Sequence, residues 1–132
     1  MLKEEGERMK EEVKKEGDFR VRTKIFALRI IRLYASLPTA TAPQILGKQL
    51  LRSGTSIGAN YREAYRARSK AEFIAKVGIC LGEAEESAYW LELLVESGIV
   101  SSDKLIELMD ECNQLIAILV TILNKAKKKV ER

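Results

Sequence analysis

The chain has 132 residues, 46% of them apolar and 32% charged, with 23 Lys and Arg against 19 Asp and Glu for a formal net charge of +4. That length makes one domain, able to bury roughly 65–70% of the surface its unfolded chain exposes. Histidine is absent, which removes the commonest general base and metal ligand. The longest apolar stretch, residues 115–123, is interrupted by Thr121 and falls short of the roughly 20 residues a membrane span needs. Lys3, Glu4 and Glu5 open the chain without an apolar h-region, so no secretory signal is expected and the protein reads as soluble and cytoplasmic, with no membrane partner.

Only two prolines occur, Pro38 and Pro43, and no period-2 alternation of any length is present, so the expected class is all-α. Residues 1–18 mix charges around Gly6 and Gly17. They stack like charges at i, i+4, Glu7 with Glu11 and Lys10 with Lys14, which disfavours an isolated helix. A charged N-terminal arm, disordered or a frayed helix, is expected there, and Met9 offers an alternative start. The bundle proper is expected over residues 19–132.

The first bundle helix is expected over about 19–37. Phe26, Ala27, Ile30, Ile31, Leu33, Tyr34 and Leu37 make a wide apolar face, with Arg22, Arg29 and Arg32 toward the opposite side. Leu37 before Pro38 ends it, because the residue preceding proline is pushed out of the α region. The second helix, about 43–67, can open at Pro43. Its seam is Leu46, Leu50, Ser53, Ile57, Tyr61 and Ala64. Lys48, Arg52, Arg62 and Arg66 form a basic stripe about 27 Å long on another face.

Ser69 and Glu72 make a capping box for a third helix over about 70–97. Phe73, Val77, Cys80, Ala84, Ser87, Leu91 and Leu94 follow the 4-3 rhythm of a bundle seam, and Ser97-Gly98 is a left-handed stop. The fourth, about 102–128, is capped by Ser101 or Ser102 with Asp103 in its first turn. Its seam is Leu105, Leu108, Cys112, Leu115, Leu119, Ile122 and Ala126, and its last turns carry lysines that suit the helix dipole. Short connections imply an antiparallel, up-down-up-down four-helix bundle.

Catalytic chemistry is hard to find. There is no Glu-x-x-His pair for a di-iron bundle and no phosphate-binding Gly-x-x-x-x-Gly-Lys loop. Glu83, Glu85 and Glu86 spread around a helix as a solvated or interface face. Cys80 and Cys112 fall on apolar seams and read as core packing. No enzyme activity, metal or cofactor is expected. Gly54 and Gly58 each cost about 1 kcal/mol against Ala inside a helix. Tight packing within the bundle would offset that loss, as would a subunit contact or the close approach of a ligand backbone.

Charge is strongly polarised. Residues 1–18 carry five cations and seven anions, residues 19–70 eleven and one, and residues 71–132 seven and eleven, giving −2, +10 and −4. Within the basic segment, Arg52-Ser53-x-x-Ser56-Ile57-x-x-Asn60-x-x-Glu63 followed by Ser69-x-x-Glu72-Phe73 resembles the signature of the 23S rRNA intervening-sequence proteins. Leu33-Tyr34-x-x-Leu37-Pro38 upstream, and Ala84-x-Glu86 with Tyr89-Trp90-Leu91 downstream, resemble the flanking segments of that family, so the likeness covers roughly residues 19–125. Ala64 stands where many members have Gly, and an acidic residue common after Leu-Pro is missing. The resemblance implies an antiparallel bundle assembling into homopentameric rings. It extends distantly to the accessory variability determinant of diversity-generating retroelements, which binds nucleic acid and its reverse transcriptase.

Two functions follow. The first is a non-catalytic homo-oligomer binding RNA or DNA through phosphates, with Arg22, Arg29, Arg32, Lys48, Arg52, Arg62, Arg66 and Arg68 as contacts and Tyr61 and Tyr65 for base stacking. The second is a structural or adaptor oligomer with a protein partner, a reverse transcriptase for example. In that case the basic stripes pair with Glu83, Glu85, Glu86, Glu92 and Glu96, within or between subunits.

Overall fold

Asp18 starts the first helix: its carboxylate accepts the backbone N–H of Arg20 at 3.0 Å, satisfying one of the donors a helix start leaves open. The computed structural model describes residues 18–131, which form four α-helices and no strand. These are α1 (Phe19–Ser36), α2 (Thr41–Tyr65), α3 (Lys70–Glu96) and α4 (Ser102–Glu131). The arm expected over residues 1–18, and Met9 as a start, lie outside the described residues apart from Asp18, which belongs to α1 as its cap.

The breaks have local causes. Leu37 is extended (φ −72, ψ 148), as its position before Pro38 requires. Helix α2 begins at Thr41, two residues before Pro43, because none of the first-turn N–H groups has an intrahelical acceptor and proline costs nothing there. Ser69 Oγ accepts the Glu72 N–H at 3.1 Å, while Glu72 reaches back to the Arg68 N–H at 3.3 Å, one residue beyond the usual capping box. Gly98 takes φ +79 to close α3.

Each helix packs on its chain neighbour and α1 also touches α4, so α1 and α3 each lie between α2 and α4. The expected seams of α3 and α4 are buried, apart from Phe73, which is half-buried against the core. Helix α1 differs. Its buried side is Phe19, Thr23, Phe26 and Ile30, whereas Ile31 is 46% exposed, and Val21, Ile25 and Leu28 form a further apolar strip facing outward. The helix carries more apolar residues than its neighbours can cover. Thr23 is tolerated inside because its hydroxyl donates to the Arg20 carbonyl at 3.0 Å.

Contacts along α1 and α2 run in opposite senses: Phe19 meets Tyr61 edge-on at 4.7 Å, and Tyr34 donates to Gln44 at 2.8 Å. Glycine sets how close these helices come. A Cβ on Gly54 would lie 2.9 Å from Ile30 Cγ1, and one on Gly58 3.0 Å from Thr23 Oγ1. Gly47 is tighter still, its added Cβ meeting Leu37 at 2.5 Å and Tyr34 at 2.8 Å. The first two glycines therefore serve packing inside the bundle. Gly78 and Gly82 on α3 do not, since an added Cβ at either meets nothing within 4 Å.

Candidate nucleic-acid interface

The basic stripe read along α2 divides in two. In its middle, Arg52 bridges to α3: Nη1 lies 3.1 Å from Glu83 Oε2 and Nη2 2.5 Å from Glu86 Oε1. Trp90 Nε1 donates to the same Glu86 oxygen at 3.2 Å, fixing the carboxylate from the other side. The Arg52 guanidinium holds the Glu86 carboxyl below its ordinary range, and Glu86 in turn raises the Arg52 value. A cation so engaged has less to offer a phosphate.

At the end of α2 the situation reverses. Arg62 and Arg66, together with Arg20 and Lys24 of α1, line an open groove of about 300 Å³ floored by Tyr65. Four cations face it and one carboxylate, Asp18, which Arg20 already engages at 3.3 Å. Arg20 keeps the Asp18 carboxyl below its usual value and lies over the Tyr65 ring at 3.9 Å. Lys24, Arg62 and Arg66 have no ion-pair partner among the described residues. Arg20 and Lys24 were not among the expected contacts, yet the signal was present: two i, i+4 pairs of cations, one opening α1 and one closing α2.

The other expected contacts scatter. Arg22 is half-buried and turned to α4, bonding Glu111 at 2.6 Å and Gln114 at 3.1 Å. Arg29 and Arg32 line a separate groove with Lys104 at the other end of α1. Lys48 is exposed and lies in neither groove, and Arg68 sits in the connection before α3. Tyr61 is 2% exposed and packed on Phe19, so it cannot stack on a base; burial pushes its phenol pKa up.

The polar signature residues have structural work. The Ser87 hydroxyl donates to buried Ser53 at 2.8 Å, with the Glu83 carbonyl at 2.9 Å as its alternative acceptor. Ser56 donates to the Arg52 carbonyl at 2.6 Å and Asn60 to the Ser56 carbonyl at 2.9 Å, while Ile57 is fully buried. Glu63 pairs with Lys76 of α3 at 3.6 Å. The motif therefore ties α2 to α3 and caps α3. Cys80 and Cys112 are buried free thiols, pushed up to about 12 by burial. No group of three or more acidic or cysteine side chains among the described residues could hold a metal, and none of their helices is long and apolar enough to cross a membrane.

This is a four-helix bundle whose polar motif locks its second helix to its third. The family model of the 23S rRNA-intervening sequence protein matches residues 16–121, and the chain belongs to that family. It is also similar to a solved protein with unknown function from the S23 ribosomal protein family of Bacteroides thetaiotaomicron. That match has 39% identity and a TM-score of 0.75, over 80% of this chain and 94% of the other. No curated protein matches the chain.

Proposed function

We propose that the protein is a non-catalytic, cytoplasmic homo-oligomer that binds nucleic acid by its phosphates at the Arg20, Lys24, Arg62 and Arg66 groove. The observation that carries this reading is the convergence of three cations without ion-pair partners, and a fourth shared with Asp18, on one open groove beside Tyr65. Phosphate contacts of this kind confer affinity with little sequence preference and a steep salt dependence. The opposite senses of the α1–α2, α2–α3 and α1–α4 contacts support an antiparallel up-down-up-down bundle. Assembly is supported by the outward strip Val21, Ile25 and Leu28 on α1 and by Gly78, Ile79 and Gly82 on α3. A ridge on one helix and a small-residue furrow on another suit a head-to-tail contact, which gives a ring where its rotation closes and a filament where it does not; the family resemblance implies a ring of five copies.

The test is binding of fluorescein-labelled 20-nucleotide RNA and DNA across a salt series, with Lys24→Glu/Arg62→Glu/Arg66→Glu as companion and light scattering to check assembly. Binding that weakens steeply with salt and disappears in the intact variant is expected. Binding unmoved by salt, or retained by the variant, would overturn the reading.

A second reading, an adaptor for a protein such as a reverse transcriptase, is favoured by one observation: Arg22 and Arg52 are committed to Glu111, Glu83 and Glu86 within the chain. Absence of nucleic-acid binding even at low salt would favour it.

A further inference from the structure

The second groove lies at the other end of α1, away from the proposed nucleic-acid contact, and has a different chemistry. Its volume is about 530 Å³, within the roughly 300–1,000 Å³ common for binding clefts. The floor is apolar, made by the buried side chains of Leu37, Leu105 and Leu108, and half-buried Ile99 and Val100 from the α3–α4 connection wall one side. Three cations stand around it, Arg29 and Arg32 from α1 and Lys104 from α4. No acidic residue lines it, and none of the three cations has an ion-pair partner among the described residues. Asp103 and Glu107 lie nearby in α4 but are not part of the lining.

An apolar floor rimmed by unneutralised cations selects an occupant with apolar side chains and carboxylates together. The cations sit on two different helices, with Arg29 and Arg32 one turn apart on α1. A single carboxylate on an acyl chain would leave part of that rim unmatched. Negative charges on both sides of an apolar residue would match it.

We propose that this groove binds an acidic-apolar peptide segment of a protein partner, a leucine-like side chain entering the floor between flanking Asp or Glu residues that meet Arg29, Arg32 and Lys104. Electrostatic complementarity of this kind sets orientation and rejects basic segments. The site is separate from the proposed phosphate groove, and the inference stands whether or not nucleic acid binds there.

The test uses a random dodecapeptide phage library, panned in parallel on the native protein and on Arg32→Glu/Lys104→Glu. Both substitutions are at exposed positions, and circular dichroism checks that the variant keeps its helices. Clones enriched at least tenfold on the native protein, with Asp or Glu flanking Leu, Ile or Phe, are expected. A synthetic consensus peptide should bind with an affinity that falls at least tenfold in Arg32→Glu/Lys104→Glu, and likewise in Ile99→Asp, which addresses the apolar wall. No differential enrichment, consensus peptides without acidic residues, or equal binding to the variants would overturn the proposal.

Discussion

The middle of α2 and its last turns carry the same residue type in opposite circumstances. Arg52 faces Glu83 and Glu86 across the α2–α3 seam, with Trp90 holding the second carboxylate. Arg62 in the last turn of the same helix and Arg66 at its cap have no ion-pair partner among the described residues, and they line a groove with α1's own cations instead. A basic stripe drawn on one helix is therefore a list of charges, some of them already neutralised by the helix opposite. Cations without ion-pair partners among the described residues line a groove at each end of α1.

The contrast can be broken most directly by binding. Reversing Lys24, Arg62 and Arg66 together should lower RNA affinity about 100-fold at low salt, whereas Arg52→Ala should leave it within about twofold. If Arg52→Ala lowered affinity as much as the triple reversal, the distinction between the two parts of α2 would fail.

A structural contrast of the same kind separates two pairs of glycines. Gly54→Ala forces a methyl to 2.9 Å from Ile30, and overpacking costs about 1–3 kcal/mol against a propensity gain near 1 kcal/mol. A net loss of about 1 kcal/mol, roughly 3–5 °C in melting temperature, is expected by thermal unfolding. Gly78→Ala and Gly82→Ala meet open space. Each should stabilise a dissociated subunit by up to about 1 kcal/mol while weakening assembly measured by sedimentation. Assembly unchanged in the double variant would remove that furrow from the proposed contact.

The ion pairs should rank by burial. Glu111→Ala leaves a half-buried Arg22 guanidinium without its carboxylate and should cost about 1–2 kcal/mol, between the figures for surface and buried pairs. Glu83→Ala, beside the more exposed Arg52, should cost under about 1 kcal/mol. Urea unfolding of the two variants gives the order, and the reverse order would sink the ranking.

The smallest effect is a dependence on pH. The folded-state pKa of Glu86 is lowered from 4.5 by Arg52. Its contribution is therefore complete above 4.5 and is lost as pH falls through the lowered value. Melting temperature should fall below that pH, and less steeply in Glu86→Gln. Parallel curves for the two proteins would mean that other carboxylates carry the acid sensitivity.

Much of this molecule can be read from local pattern. The 4-3 rhythm from Val77 to Leu94, the Ser69–Glu72 cap, Pro38 and Gly98 each act within a few residues, so they mark α3, both its ends and the end of α1 almost without reference to the rest of the chain. Asp18 was legible too, as an acceptor directly before an apolar series, though the charged run preceding it disguised the cap. Helix α1 was less legible because its apolar residues occupy more of the surface than one seam needs. Only the neighbouring helices decide that Thr23 goes in while Ile31 stays out.

The candidate site divides along the same line. Sequence alone determined that positive charge concentrates between residues 19 and 70 and that the chain holds no histidine, since both follow from residue type. Tertiary structure decided which of those charges are free. Arg22 and Arg52 meet carboxylates more than thirty residues away or, for Arg22, nearly ninety, whereas Arg20 and Lys24 join Arg62 and Arg66 across the α1–α2 pair. Charge is a property of the residue; its neutralisation depends on what the fold places within a few ångströms, and no local pattern along α1 or α2 contains that information.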